Sequence, residues 1–186
     1  MKIPFDNLRF LKLDDSFDIS SFTCGNTEID SFIKDDAKNY QKDRISVTYL
    51  CYYHDELVGF FSVAMGCIDA RAVEPQDGKK GYGPKKYPAL RLAQMATLKE
   101  YQGHDVGKNM LTYVFAIGFA LCEFIGCRVV IVDAKKDEKT INFYKKYGSF
   151  EDFGPSDATT QSLLRDLNKI PDGERINTEL TEYQKT

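Results

Sequence analysis

Residues 92–111 read LAQMATLKEYQGHDVGKNML: a strand-like apolar run, a glycine-bearing turn, then the start of a helix. Such a turn presents backbone N–H groups and the positive end of a helix dipole to an anion, phosphate above all. Further along, residues 143–148, FYKKYG, close a second helical stretch and carry Tyr144, whose phenolic O–H can donate a proton to a leaving group. A phosphate grip followed by a proton donor suits transfer of a group from a phosphate-bearing co-substrate.

The elements around these residues alternate. Residues 8–13 form a short strand, and Asn26 or Thr27 can cap a helix whose apolar residues Ile29, Phe32, Ile33, Ala37 and Tyr40 recur at helical spacing. Residues 46–54 and 57–65 are β-branched and aromatic runs separated by Asp55 and Glu56, which predicts an antiparallel hairpin. A Gly-, Pro- and Lys-rich loop over 69–87 leads to a strand at 90–98, the turn, and a long helix at 107–125. Residues 128–132 then read as a buried parallel-type strand, and 139–147 as the last clear helix. Residues 162–170 suit a closing strand or a short helix. The segment after Pro171 has too few apolar residues to pack by itself.

Composition sets the outer bounds. At 186 residues, 42% hydrophobic and 28% charged, the chain is globular in character and can bury a core. A formal charge of −3 gives no overall basic footprint for nucleic acid. Any such contact would rest on a local patch, and Lys79, Lys80, Lys85 and Lys86 with Tyr82 and Tyr87 form the basic cluster with aromatics among it. Cys24, Cys51, Cys67, Cys122 and Cys127 are odd in number and form no C-x-x-C pair, which predicts reduced core thiols and no metal site. The first residues show no signal-peptide pattern, so a cytoplasmic location is expected. Residues 110–125 are nearly all apolar but interrupted by Glu123, which fits a buried helix better than a membrane span.

In this order the residues resemble the GNAT-fold N-acetyltransferases. The matching positions are Gln102, Gly103, Val106 and Gly107 in the pyrophosphate loop, VIVDAK at 130–135, and Phe143, Tyr144 and Gly148 in the last helix. FTCGNTEIDSFI at 22–33, the AKNYQ that follows, YPALRLAQMA at 87–96, and VDAK before FY are similar to the sub-family that includes acetyltransferase toxins of bacterial toxin–antitoxin pairs. The resemblance spans about residues 8–153. It implies an α/β fold with a central mixed sheet flanked by helices, one domain over 1–170, and a polar tail over 171–186.

It also implies a mechanism. Backbone N–H groups of Gly103, His104, Asp105, Val106, Gly107 and Lys108, with Gln102 at the entry, would hold the pyrophosphate of acetyl-CoA. Met95, Ala96 and Thr97 would pair with the pantetheine amides. A primary amine would attack the thioester directly, Tyr144 would protonate the departing thiolate, and Glu100 or Asp133 would take the amine's proton. Surface solvation for Glu100 and a strand-end cap for Asp133 stand beside those roles. Three departures from the family pattern are visible. Asp105 replaces a loop glycine and brings a carboxylate near two phosphates, unless it faces solvent or Lys99 or Lys108 neutralises it. Leu98 stands where an acid is common, and Gly148-Ser149-Phe150 carries one residue more than Gly-Phe, which suggests a bulge.

Three readings remain open at this level: an acetyl-CoA-dependent N-acetyltransferase with an unidentified amine acceptor, a toxin that acetylates aminoacyl-tRNA and is silenced by an antitoxin protein, and a non-catalytic acyl-CoA-binding module. No membrane partner is expected, and a homodimer is compatible with each.

Overall fold

The protein is described by a computed structural model covering residues 1–73, 85–154 and 157–171. The described strands are β1 (Leu8–Lys12), β2 (Val47–Tyr53), β3 (Glu56–Asp69), β4 (Lys86–Thr97), β5 (Val129–Lys135), β6 (Glu151–Asp152) and β7 (Thr160–Asp166). The helices are α1 (Thr27–Ser31), α2 (Ala37–Lys42), α3 (Val106–Cys122) and α4 (Glu138–Gly148). The strands form one mixed sheet in the order β1-β2-β3-β4-β5-β7-β6, as the expected α/β class requires. By contacts the chain divides into two compact units, and their described parts are 1–64 with 93–113, and 65–73 with 85–92, 114–154 and 157–171.

In the first unit, Asn26 caps α1 by accepting from the N–H groups of Glu28 and Ile29. The helix passes through a π-helical turn, Phe32–Asp36, into α2. Its apolar stripe, with Ile33 and Ala37 fully buried, packs in one cluster with Leu50, Phe60 and Ala96. Strand alternation sends adjacent Phe60 and Phe61 to opposite faces. Phe60 meets Phe22 edge to face at 5.3 Å, whereas Phe61 stacks on Tyr49 at 5.2 Å and approaches Tyr113 of α3 at 6.0 Å. The hairpin of β2 and β3 is therefore covered by α1–α2 on one side and the start of α3 on the other. Its register slips between Cys51 and Tyr52, opposite Gly59 and Leu57. A Cβ on Gly59 would lie 2.9 Å from the Ala96 carbonyl oxygen and 3.0 Å from Met110 Sδ, so glycine here lets β3, β4 and α3 close on one another.

In the second unit, β4 runs parallel to β5 from Ala89↔Val129 to Leu92↔Val132, and β7 pairs antiparallel along all of β5. The Arg128 guanidinium grips the buried Asp166 carboxylate through Nε and Nη2, each at 3.0 Å. The bidentate geometry keeps a buried charge paired. Asp137 caps α4, accepting from Thr140 N–H at 2.9 Å.

Several expectations change in detail. The long helix ends at Cys122 rather than 125, because its last turn tightens through Glu123 N–H to Ala120 O and Phe124 N–H to Leu121 O; Phe124 and Ile125 are exposed. The closing segment is a strand and then a 3-10 turn, Leu167–Lys169, so both readings of it hold in part. Ser149 is a left-handed cap of α4, with φ of 49°, and not a strand bulge. Of the cysteines only Cys51 and Cys127 are buried. Burial pushes the Cys127 thiol up to about 11, while Cys67 and Cys122 are exposed because they fall on the outward positions of their elements. No helix among the described residues is long and apolar enough to cross a membrane. The segment after Pro171 lies outside the described residues.

Gly59→Ala should lower stability by about 1–3 kcal/mol through overpacking, read as a lower denaturant midpoint. An unchanged midpoint would mean that β3 and β4 need no such close approach.

Candidate active site

After Leu92, β4 has no further register partner in β5, and it continues to Thr97. Met95, Ala96 and Thr97 thus lie on a stretch whose backbone on that edge is free of a ladder partner. The strand ends in a 3-10 turn, Lys99–Tyr101, anchored by Leu98 N–H to Val58 O at 2.8 Å and Lys99 N–H to Thr23 O at 3.0 Å. Exposed Glu100 sits on this turn.

The loop then makes two left-handed steps, Gly103 at φ 84° and Asp105 at φ 65°. A Cβ at Gly103 would meet nothing within 4 Å, so backbone angle rather than space calls for glycine. Helix α3 follows, and Asn109 N–H closes its first turn on Asp105 O at 3.0 Å. The N–H groups of Val106, Gly107 and Lys108 precede that bond and are the unpaired donors of a helix start. Together with the helix dipole they suit a diphosphate. The N–H of His104 does not belong with them, because it turns back to Tyr101 O at 3.3 Å. His104 is half-buried, and its buried Nδ1 has no hydrogen-bond partner among the described residues.

Gln102 is placed to brace the loop rather than to grip an anion. Its Nε2 donates to Cys24 O at 2.9 Å and to Thr97 O at 3.4 Å. The Cys24 turn is itself held by Asp30, which accepts from Cys24 N–H at 2.8 Å and Thr23 Oγ1 at 2.7 Å. The Asp105 carboxylate neither faces solvent freely nor pairs with Lys99 or Lys108. Its Oδ1 accepts from Lys2 Nζ at 2.5 Å.

Tyr144 lies on α4 in the second unit, buried and ringed by Phe143 at 5.3 Å and Phe150 at 5.5 Å. Its hydroxyl hydrogen-bonds no described residue, and burial pushes the phenol above its ordinary value, so it stays protonated at neutral pH. Asp133 on β5 has both oxygens engaged: Oδ2 by the Arg91 guanidinium and Oδ1 by Ser162 Oγ at 2.7 Å. In the basic cluster, Lys85 and Lys86 are exposed. Tyr87 is half-buried beneath Arg128, whose Cζ lies 5.0 Å from the ring centroid, so it does not offer a free stacking face. Lys79, Lys80 and Tyr82 lie outside the described residues. Among the described residues no three metal-ligating side chains gather.

Residues 44–148, more than half of the chain, match the family described as the acetyltransferase (GNAT) domain. The chain belongs to this family. It is accordingly an acetyl-CoA-dependent N-acetyltransferase, and the expected fold and enzyme class are borne out. The chain is also 26% identical over 153 residues to a tRNA-acetylating toxin of Mycobacterium tuberculosis, a match that covers 82% of this chain and 89% of that one. Its fold resembles that of AtaT complexed with acetyl-methionyl-tRNAfMet, with a TM-score of 0.75 and 19% identity over 87% of this chain and 95% of that chain. AtaTR bound with AcCoA gives 0.73 and 20% over 88% and 95%.

Sequence reading missed the residues that hold this GNAT loop from afar. Lys2 and Ile3 carry no local signal, the Thr23–Cys24 turn stood out only as part of a family-like segment and not as a support of the loop, and the Lys2–Asp105 pair spans 103 positions. Glu56 is a further one: it accepts from Tyr101 Oη at 2.6 Å, and that bond holds the Tyr101 phenol above its ordinary value. An acid at the start of β3 could not by itself point to a loop 45 residues away.

Because the Tyr144 phenol is raised in the folded chain, its contribution to stability is complete below pH ~10 and is lost as pH climbs from there through the folded value. Tyr144→Phe should therefore lose less stability than the native chain between about pH 8 and pH 11 in denaturant titrations. An equal fall in both would show that the phenol is not desolvated.

Proposed function

We propose that this chain acetylates the α-amine of an aminoacyl-tRNA and is held silent by an antitoxin protein. The observation that carries the reading is the similarity to a tRNA-acetylating toxin across 82% of this chain and 89% of the relative. A fold similar to a toxin complexed with an acetylated aminoacyl-tRNA supports it. A single catalytic domain over 1–170, acting in the cytoplasm and compatible with a homodimer, goes with it.

Acetyl-CoA supplies the thioester carbonyl. The residues present fit that co-substrate: the free N–H groups of Val106, Gly107 and Lys108 hold the pyrophosphate, and the unpaired edge of Met95, Ala96 and Thr97 aligns the pantetheine amides. Attack by the neutral amine forms the new C–N bond, and the C–S bond breaks. Tyr144 delivers its phenolic proton to the departing sulfur. The amine's own proton goes to water or to the exposed carboxylate of Glu100. Asp133, with both oxygens bonded, serves as a tie between strands. No covalent enzyme intermediate is required. A non-catalytic module had its motive in an uncompensated Asp105, and the Lys2 pair removes that motive.

With acetyl-CoA and charged tRNA, the protein should release free CoA thiol, whereas uncharged tRNA should give none. Tyr144→Phe should cut turnover by roughly 10²-fold. Thiol release with small amines or peptides but not with charged tRNA would overturn the acceptor. Undiminished turnover in Tyr144→Phe would overturn its role as the acid.

A further inference from the structure

We infer that the Lys2–Ile3 segment is a positioning strap for the phosphate-binding turn, in which Lys2 cancels the charge of Asp105 and Ile3 fixes the direction of the loop peptides. The inference rests on reading that turn as the acetyl-CoA site. Three contacts tie the segment down. Lys2 Nζ donates to Asp105 Oδ1 at 2.5 Å, Ile3 N–H donates to His104 O at 3.0 Å, and Asn109 Nδ2 donates to Ile3 O at 2.9 Å. The Ile3 side chain is buried, and so is Asn109. Two consecutive loop residues and one residue in the first turn of α3 are thus held by one short stretch of chain.

The contacts answer a specific electrostatic problem. Asp105 takes the left-handed angle that a glycine would adopt without strain, and it stands immediately before the first turn of α3. A lone carboxylate there would oppose a diphosphate on the Val106–Lys108 amides, since like charges within a few ångströms repel even through water. The Asp105 side chain keeps 23% of its exposure and that of Lys2 keeps 67%. The pair is therefore at the surface and can cancel a local charge without the desolvation cost of a buried one.

The backbone contact acts on direction. In a trans peptide the C=O of one residue and the N–H of the next point opposite ways. By taking the His104 carbonyl, Ile3 N–H holds that oxygen on the strap side, and it turns the Asp105 N–H to the other. It also satisfies an acceptor that would otherwise stand unmet beside the loop. Asn109 then links the strap to α3, so the loop and the helix start move as one piece. A preset cradle binds better than one that must be ordered by its ligand.

Lys2→Met retains most of the side-chain stem and removes the charge, and Lys2→Arg retains the charge. Binding of acetyl-CoA by calorimetry and steady-state kinetics would be measured for both, for Asp105→Gly, and for the Lys2→Met/Asp105→Gly double variant. We expect Lys2→Met to weaken acetyl-CoA binding by roughly fivefold, as a rise in KM for acetyl-CoA with little change in kcat. Lys2→Arg should restore binding, and Lys2→Met should cost nothing further in the Asp105→Gly background. Native binding that survives unchanged in Lys2→Met would overturn the inference. So would an equal loss from Lys2→Met in the native and Asp105→Gly backgrounds, which would make Lys2 a direct phosphate ligand and not the partner of Asp105. Absence of acetyl-CoA binding by the native chain is a different result: it removes the acetyl-CoA reading itself, and the strap falls with it.

Discussion

A strand that loses its neighbour partway leaves a row of backbone donors and acceptors that must find other partners. β4 does so after Leu92↔Val132, yet it continues to Thr97. The continuation is supported from the other direction. Gly59 lets β3 approach Ala96, and Leu98 N–H closes on Val58 O. The free edge is therefore held in place from the β3 side, and an unpaired edge so held is a template for an extended ligand carrying amides of its own. The loop and the helix start that follow depend on where this strand ends.

The loop solves a second backbone problem. To go from strand to helix in a few residues, it bends through two left-handed positions, Gly103 and Asp105. Glycine meets that demand freely, and aspartate is among the residues that tolerate it. Its charge is the difficulty, and the compensation comes from the distant Lys2. Local geometry and local charge are thus satisfied by different parts of the chain. The Gln102 amide divides its work in the same way, spanning Cys24 O and Thr97 O so that turn, strand and loop share one brace.

What could be read from the chain follows this division. Periodicity placed the hairpin, the central strand, the long helix and α4 within a few residues of their observed ends, because each buries a face on a fixed repeat. The loop and Tyr144 stood out as candidates because their residue types stand at fixed places in that order. The strap did not, since an exposed lysine 103 positions away has neither periodicity nor composition to betray it. Nor could sequence distinguish the Asp133 roles. Only the structure shows that Arg91 and Ser162 each bond one of its oxygens, so that the candidate base also ties neighbouring strands. Nor could sequence show that Tyr87, an aromatic among lysines, lies beneath the Arg128 guanidinium.

The extra residue after α4 bears on Tyr144 itself. Ser149 takes a left-handed angle and the chain folds back, so that Phe150 N–H meets Tyr144 O at 3.4 Å and the Phe150 ring lies edge to face with the tyrosine at 5.5 Å. A Cβ on Gly148 would stand 2.5 Å from Phe150 Cδ2, so this return is available only with glycine before the cap. Phe150 also contacts Phe115 of α3 at 5.9 Å, which fixes it from behind. The apolar wall so formed is what raises the Tyr144 phenol. A raised phenol is a poor acid toward water and keeps its proton at neutral pH. It becomes a useful donor only when strong negative charge develops beside it, as on a departing thiolate. In the mechanism proposed above, such burial would delay proton transfer until the C–S bond is breaking, and the Gly148-Ser149-Phe150 return is the local structure that would enforce that order.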